Sequence, residues 1–134
     1  PLGTAIGLET FNIIESPLQQ QKMKKSSQNF AKTIYGLKKD YPFMTRTQIL
    51  GHAAGIDICE PHTHKPATQK VHKLIEIALN NPCEYNGQKY GLILTAGGLY
   101  NASLMLSPSV FISNEELDLF NKLFRFYMNI VFKA

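Results

Sequence analysis

Three histidines, a thiol and a carboxylate crowd the middle of the chain. His62, His64 and His72 lie close to Cys59 and Glu60, and imidazole and thiolate are good zinc ligands. The spacing argues against that chemistry. His-x-His in the proline-flanked "EPHTHKP" has none of the fixed intervals of a zinc motif, and His72 falls on a helix one turn in. A solvated loop with no metal is the reading this pattern supports. Cys59 with His62 nearby has the residue types of an activated nucleophile, but an inert, partly buried thiol accounts for it better. Gly97-Gly98, within "LTAGGLYNASLMLSPS", offers backbone N–H groups to an anion. It lacks phosphate-loop spacing, no Lys-Ser/Thr pair follows, and the next segment is strand-like rather than a helix N-terminus. The glycines, with Asn101, read instead as a turn that needs positive φ. Among the carboxylates, Asp57 stands alone on a strand and Glu9 and Glu15 lie on a helix. Glu115 and Glu116 open another helix, where negative charge suits the dipole. No catalytic constellation emerges, and taken by itself the chain has no active site of its own.

The elements that would position these residues follow from periodicity. "TAIGLETFNIIES" reads as a helix with Ala5, Ile6, Leu8, Phe11, Ile13 and Ile14 leaving only a narrow polar face, so it should be mostly buried. "ESPLQQQ" restarts a helix, with Ser16 as cap and Pro17 at the first helical position. Met23, Phe30, Ile34 and Leu37 form its apolar stripe. Tyr41-Pro42 ends it, since a residue before proline resists helical geometry. "TRTQILGHAAGIDIC" predicts two short strands, or one bent strand, around Gly51, and Gly55 suggests a close approach by another backbone.

"ATQKVHKLIEIALNN" is an amphipathic helix presenting Val71, Leu74, Ile75 and Ala78, closed by Asn80, Asn81 and Pro82. Asn86-Gly87 in "CEYNGQKY" signals a tight turn. "YGLILTA" and "ASLML" are strand-like. "SNEELDLFNKLFRFYMNIVF" opens with a capping box, Ser113 and Glu116. It carries two apolar stripes: Leu117, Phe120, Phe124, Tyr127 and Val131, and Leu119, Leu123, Phe126 and Ile130. A last helix greasy on two sides points to a partner surface outside this chain. The order predicts an α+β fold: a small, mostly antiparallel sheet of three to four strands packed against helices.

Composition narrows the function classes. With 134 residues the chain makes one domain, residues 1–134, and 44% hydrophobic with 18% charged excludes disorder. The longest apolar run is too short to span a bilayer, and no charged start followed by an apolar segment and a cleavage site marks a leader. Two cysteines, Cys59 and Cys83, make no disulfide framework and read as free thiols of a cytoplasmic protein. The net charge is +4, much of the excess in Lys22, Lys24 and Lys25. Arg46 and Arg125 are the only arginines, too few for a usual nucleic-acid surface, so a solvated helix face is expected and no nucleic acid.

Four stretches, in order, resemble one family, the class III (ω-type) aminotransferases that use pyridoxal 5′-phosphate (PLP). "PLGTAIGLETFNIIE" is similar to the family's "NPLACAAALATLEVIE" helix, which leads out of the large catalytic domain. "GHAAGIDIC" resembles "GLMIGIEL", the first strand of the small C-terminal domain. "YGLILTAGGLYNASLMLSPSVFIS" resembles "GLIV…GNVLRLLPPLTIS", and "NEELDLF" resembles "EEEIDEAL" at the start of the final helix. The similarity runs over essentially the whole chain; each motif alone is weak, and their order and spacing add the specificity.

The resemblance implies a small C-terminal domain of a fold-type I PLP enzyme, cut near the domain junction, with Pro1-Leu2 inside the family's "GNPL" motif. It implies that PLP is held as a Schiff base by a lysine of a large domain upstream and acts as electron sink for amino transfer. No lysine here matches, so the resemblance assigns no catalytic or cofactor-binding residue to this chain, and no PLP to the chain alone. The implied partners are that large domain, an amino donor, a keto acceptor and a second copy of the intact protein. The substrate-side candidates are Asn101 and Leu104. Leu104 aligns with the arginine of "NVLRLLPPL" that pairs with a substrate carboxylate, and leucine makes no such ion pair. The family's "VRGRG" is "TQILG" here. The competing expectation is a non-catalytic interaction or dimerisation module; a basic nucleic-acid-binding domain is a weaker third.

Overall fold

The structure is a computed structural model that describes residues 1–132. Its order is α1 (Leu2–Glu15), α2 (Pro17–Asp40), β1 (Met44–Leu50), β2 (Ala53–Ile58), α3 (Thr68–Asn80), β3 (Cys83–Tyr85), β4 (Gln88–Tyr90), β5 (Thr95–Gly97), β6 (Ser103–Leu106) and α4 (Asn114–Phe132). Four strands form an antiparallel sheet in the order β1-β2-β6-β5, and β3-β4 is a separate hairpin. The α+β expectation holds.

One face of the sheet is covered. Ala54, Ile56 and Ile58 of β2 and Leu104 and Leu106 of β6 alternate into a core shared with Phe30, Ile34 and Leu37 of α2, Val71, Leu74 and Ala78 of α3, and the buried stripe of α4. Buried tyrosines find partners for their hydroxyls, as they must. The Tyr127 hydroxyl shares its one proton between the Asn81 and Tyr90 carbonyls, at 3.0 and 3.2 Å, and Tyr41 donates to Asn129 Oδ1 at 3.0 Å. Burial raises the pKa of both phenols.

Local signals mostly act as read. Asn86 and Gly87 both have positive φ, 52° and 74°, as a two-residue turn with right-handed strand twist requires. Gly51 (φ 59°) opens the two-residue turn between β1 and β2, settling the choice in favour of two strands. The capping box closes reciprocally: Glu116 N donates to Ser113 Oγ at 3.1 Å and Ser113 N to Glu116 Oε2 at 2.8 Å. Ser16 sits at the N-cap of α2 but makes no side-chain cap bond; its backbone serves both helices, its N–H donating to the Ile13 carbonyl at 3.3 Å and its carbonyl accepting from Gln20 N at 2.9 Å.

Four expectations need correction. Helix α1 is not mostly buried: none of its residues is, and Leu8 and Phe11 are each 65% exposed. It packs on α2, and nothing covers its apolar side. Helix α4, by contrast, is largely inside. Leu117, Leu123, Phe124, Tyr127, Met128 and Val131 are buried, and its outward apolar residues reduce to Phe126 and Ile130. The uncovered greasy helix is therefore the first, not the last. Gly55 has open space where a Cβ would stand. The close approach belongs to Gly91, whose Cβ would meet the Ala78 carbonyl at 2.9 Å as the chain passes the end of α3. That passage leaves only Thr95 and Ala96 of "YGLILTA" in the main sheet, as the start of β5, with Tyr90 closing β4.

Candidate functional site

Among the described residues no helix covers the second face of the sheet, and two concavities lie there. The first is apolar: Leu50 and Ile93, 86% and 87% exposed, and Met105 surround Gly55. The second, a cleft of about 390 Å³, lies at the opposite end of the strands; Thr45, Arg46, Asp57 and Ser103 line it together with the apolar Ile58, Pro66, Leu99 and Ala102.

This second cleft is built by an irregularity in β1. Met44 pairs with Ile58 and Thr47 with Ile56. Two residues, Thr45 and Arg46, therefore oppose the single Asp57: a β-bulge, which turns a side chain out of its regular alternation. Both residues line the cleft. Asp57 in turn pairs with Ser103 across β2 and β6. The Ser103 hydroxyl donates to Asp57 Oδ1 at 2.5 Å, and Thr45 Oγ1 to the Asp57 carbonyl at 3.3 Å. So the aspartate read as solitary has a partner 46 residues away.

The turn at Gly98-Leu99-Tyr100-Asn101 closes one side. Gly98 (φ 78°) is required there twice over, because a Cβ would meet Ser103 Oγ at 2.9 Å. Thr68 Oγ1, at the start of α3, donates to the Tyr100 carbonyl at 2.6 Å and ties the turn down. Of the glycine pair, Gly97 closes β5 and Gly98 opens the turn between the strands.

Of the residues singled out from sequence, Asn101 is exposed in this turn with φ 49°. Leu104 lies on the covered face, 0% exposed. The side chains that β6 presents outward are Ser103 and Met105.

His62 and His64 both take positive φ, 71° and 56°, in the loop closed by Glu60 N donating to the Lys65 carbonyl at 2.7 Å. Glu60 is ion-paired with Lys70 at 2.7 Å, and His72 is exposed on α3. Among the described residues no His, Cys, Asp and Glu side chains gather in a group fit to hold a metal. Cys59 Sγ lies 3.4 Å from Thr45 Oγ1, half-buried, and both cysteines are free. Lys22, Lys24 and Lys25 are exposed on α2.

Sequence reasoning missed His52. Its Nε2 lies 3.1 Å from Ser26 Oγ, and Ser26 donates its hydroxyl proton to the Ile112 carbonyl at 3.1 Å. Ser26 has no second proton to give, so His52 Nε2 is the donor. The ring stacks on Phe30, and burial lowers its pKa.

This helix-backed antiparallel sheet is a fold shared with a segment of solved aminotransferase structures. The structure of an omega-aminotransferase from Paracoccus denitrificans matches over 99% of this chain, with a TM-score of 0.77 at 14% identity. The aminotransferase of Vibrio fluvialis in its PMP-bound form matches over 100% (TM-score 0.76, 14% identity). An Arthrobacter phospholyase in complex with phosphoethanolamine matches over 96% (TM-score 0.75, 20% identity). The chain spans about 28% of the length of each. No protein-family model matches the sequence, and no curated protein is significantly similar to it.

Neither concavity on the bare face is lined by a lysine, and no charged side chain is buried among the described residues. Among those residues no helix is long and apolar enough to cross a membrane.

Proposed function

We propose that this chain is the small C-terminal domain of a class III aminotransferase, a cytoplasmic, dimeric, PLP-dependent transferase. Its bare sheet face helps close a substrate site whose cofactor is held elsewhere in the intact protein. The observation that carries the reading is the end-to-end match of the whole chain to about 28% of aminotransferase chains. Helix α1 supports it: an apolar helix with no buried residue needs a further body against which to pack. When bound to the intact enzyme, PLP supplies the electron sink for amino transfer. This chain's residues contribute recognition on the substrate side, with Asn101 exposed beside the cleft and Leu104 supporting its strand from the core.

The test is to isolate the native polypeptide that carries these residues with an antibody against α4. The expected product is about three and a half times as long as this chain, with the visible absorption of lysine-bound PLP, bleached by borohydride. A native species of 15.1 kDa without that absorption overturns the reading. It would leave an interaction module, which the exposed α1 also suits.

A further inference from the structure

We infer that the groove between α2 and α4 binds an extended acidic segment of a partner protein, its carboxylates on a stripe of lysines along α2 and its backbone on the asparagines between the helices. The inference goes beyond the aminotransferase reading and does not rest on it: every residue lining the groove belongs to α2 or α4, and none to the sheet.

The argument begins with charge. Helix α2 carries six lysines and a single acid, Asp40, so this one helix holds more positive charge than the net +4 of the whole chain. Asp40 is already engaged by Arg125 at 2.6 Å, and the other ion pair among the described residues is Lys70–Glu60. Lys22, Lys25, Asn29, Lys32, Gly36 and Lys39 follow one another at intervals of three and four residues, which sets them on one helix face. The four lysines of that stripe are exposed; Lys24 and Lys38 fall outside it. Like charges spaced this way on a helix repel one another, and a negative chain laid along them relieves the repulsion. At about 1.5 Å per residue the stripe runs roughly 26 Å, the reach of about eight residues of extended peptide.

The same face forms one wall of a groove of about 480 Å³, with Asn29, Lys32 and Gly36 on the α2 side and Asn114, Asn121 and Arg125 on the α4 side. Two bonds tie the helices together at its ends: Asn29 Nδ2 donates to Asn114 Oδ1 at 2.8 Å, and Arg125 pairs with Asp40. Between them Gly36 keeps the groove open, since nothing lies within 4 Å of where its Cβ would stand. Two amide oxygens in the groove are taken, Asn114 by Asn29 and Asn121 by Arg125 Nε at 3.0 Å. The amide N–H groups of Asn114 and Asn121 are left to donate. The groove is therefore rich in donors, and Asp118 is the one carboxylate that lines it. An acidic peptide supplies acceptors in both places, carbonyls between the helices and carboxylates along the stripe. A single-stranded nucleic acid is the poorer match. It asks for aromatic platforms beneath its bases, and among the described residues no aromatic side chain lines this groove.

The test is titration of the 134-residue chain, followed by amide NMR, with octaglutamate, octaserine and an oligothymidylate of the same length. Octaglutamate is expected to shift Lys25, Asn29, Gly36 and Asn121 saturably, to bind more tightly than the other two, and to weaken as salt rises from about 50 to about 200 mM. Lys32→Gln is expected to weaken it about fivefold, and Lys24→Gln, off the stripe, less than about twofold. Gly36→Gln leaves the charge unchanged and favours the helix, yet fills the groove, so it is expected to weaken octaglutamate about fivefold or more while the spectrum stays native. Equal weakening by Lys24→Gln and Lys32→Gln overturns the inference, and so does undiminished binding in Gly36→Gln, since the lysines then act as diffuse charge. Tighter binding of the oligothymidylate, or no saturable shift in the groove, overturns it as well.

Discussion

Single side chains on β6 separate its two faces sharply. Leu104 faces the core and Met105 faces outward. Leu104→Arg would bury a charge with no partner, so unfolding by urea should show a loss of about 3 kcal/mol or more. Met105→Arg should stay within about 0.5 kcal/mol of the wild type. Equal effects at the two positions would contradict the strand's orientation. His52 makes a second residue-scale prediction. Burial lowers its pKa, so the unfolded chain takes up the proton first. Its contribution to stability is therefore present above the ordinary value of 6.5 and is lost as pH falls below it. The urea midpoint should drop between about pH 7 and pH 5.5, and His52→Gln, which can still donate to Ser26, should flatten that drop. Neither His52 nor the Asp57–Ser103 pair was legible in the sequence. Their partners lie 26 and 46 residues away, and only the closed sheet and the packed hairpin bring them together.

Whole elements were more readable, because periodicity and capping act within a few residues. Helix α3, the Asn86-Gly87 turn and the Ser113–Glu116 box all follow from local rules. What periodicity cannot say is which apolar stripe a neighbour will cover. It reports that a helix needs burial, and both α1 and α4 passed that test. Helix α4 found α2 and α3; helix α1 found only part of what it needs. Replacing Leu8 and Phe11 together with Gln should leave the unfolding free energy within about 1 kcal/mol, since neither side chain is buried. A large loss of stability instead would show that α1 is held more closely than the structure describes. The bulge in β1 escaped notice for a related reason: "MTRTQIL" alternates well enough to hide one extra residue, and register is set by the partner strand.

At the scale of the molecule, the layered α+β arrangement was legible from the order of elements alone, and so was the resemblance that runs along it. The position of the candidate site was not. It depends on which face of the sheet the helices choose, and the alternation in β2 and β6 is compatible with either label until the core is assembled. The joint between α1 and α2 has a mechanical consequence. A single residue, Ser16, separates the two helices, and Pro17 clamps the φ angle that follows it. Almost no rotational freedom remains at this elbow. Whatever body seizes α1 thereby steers α2, and with it the whole sheet, as a crank turns its shaft.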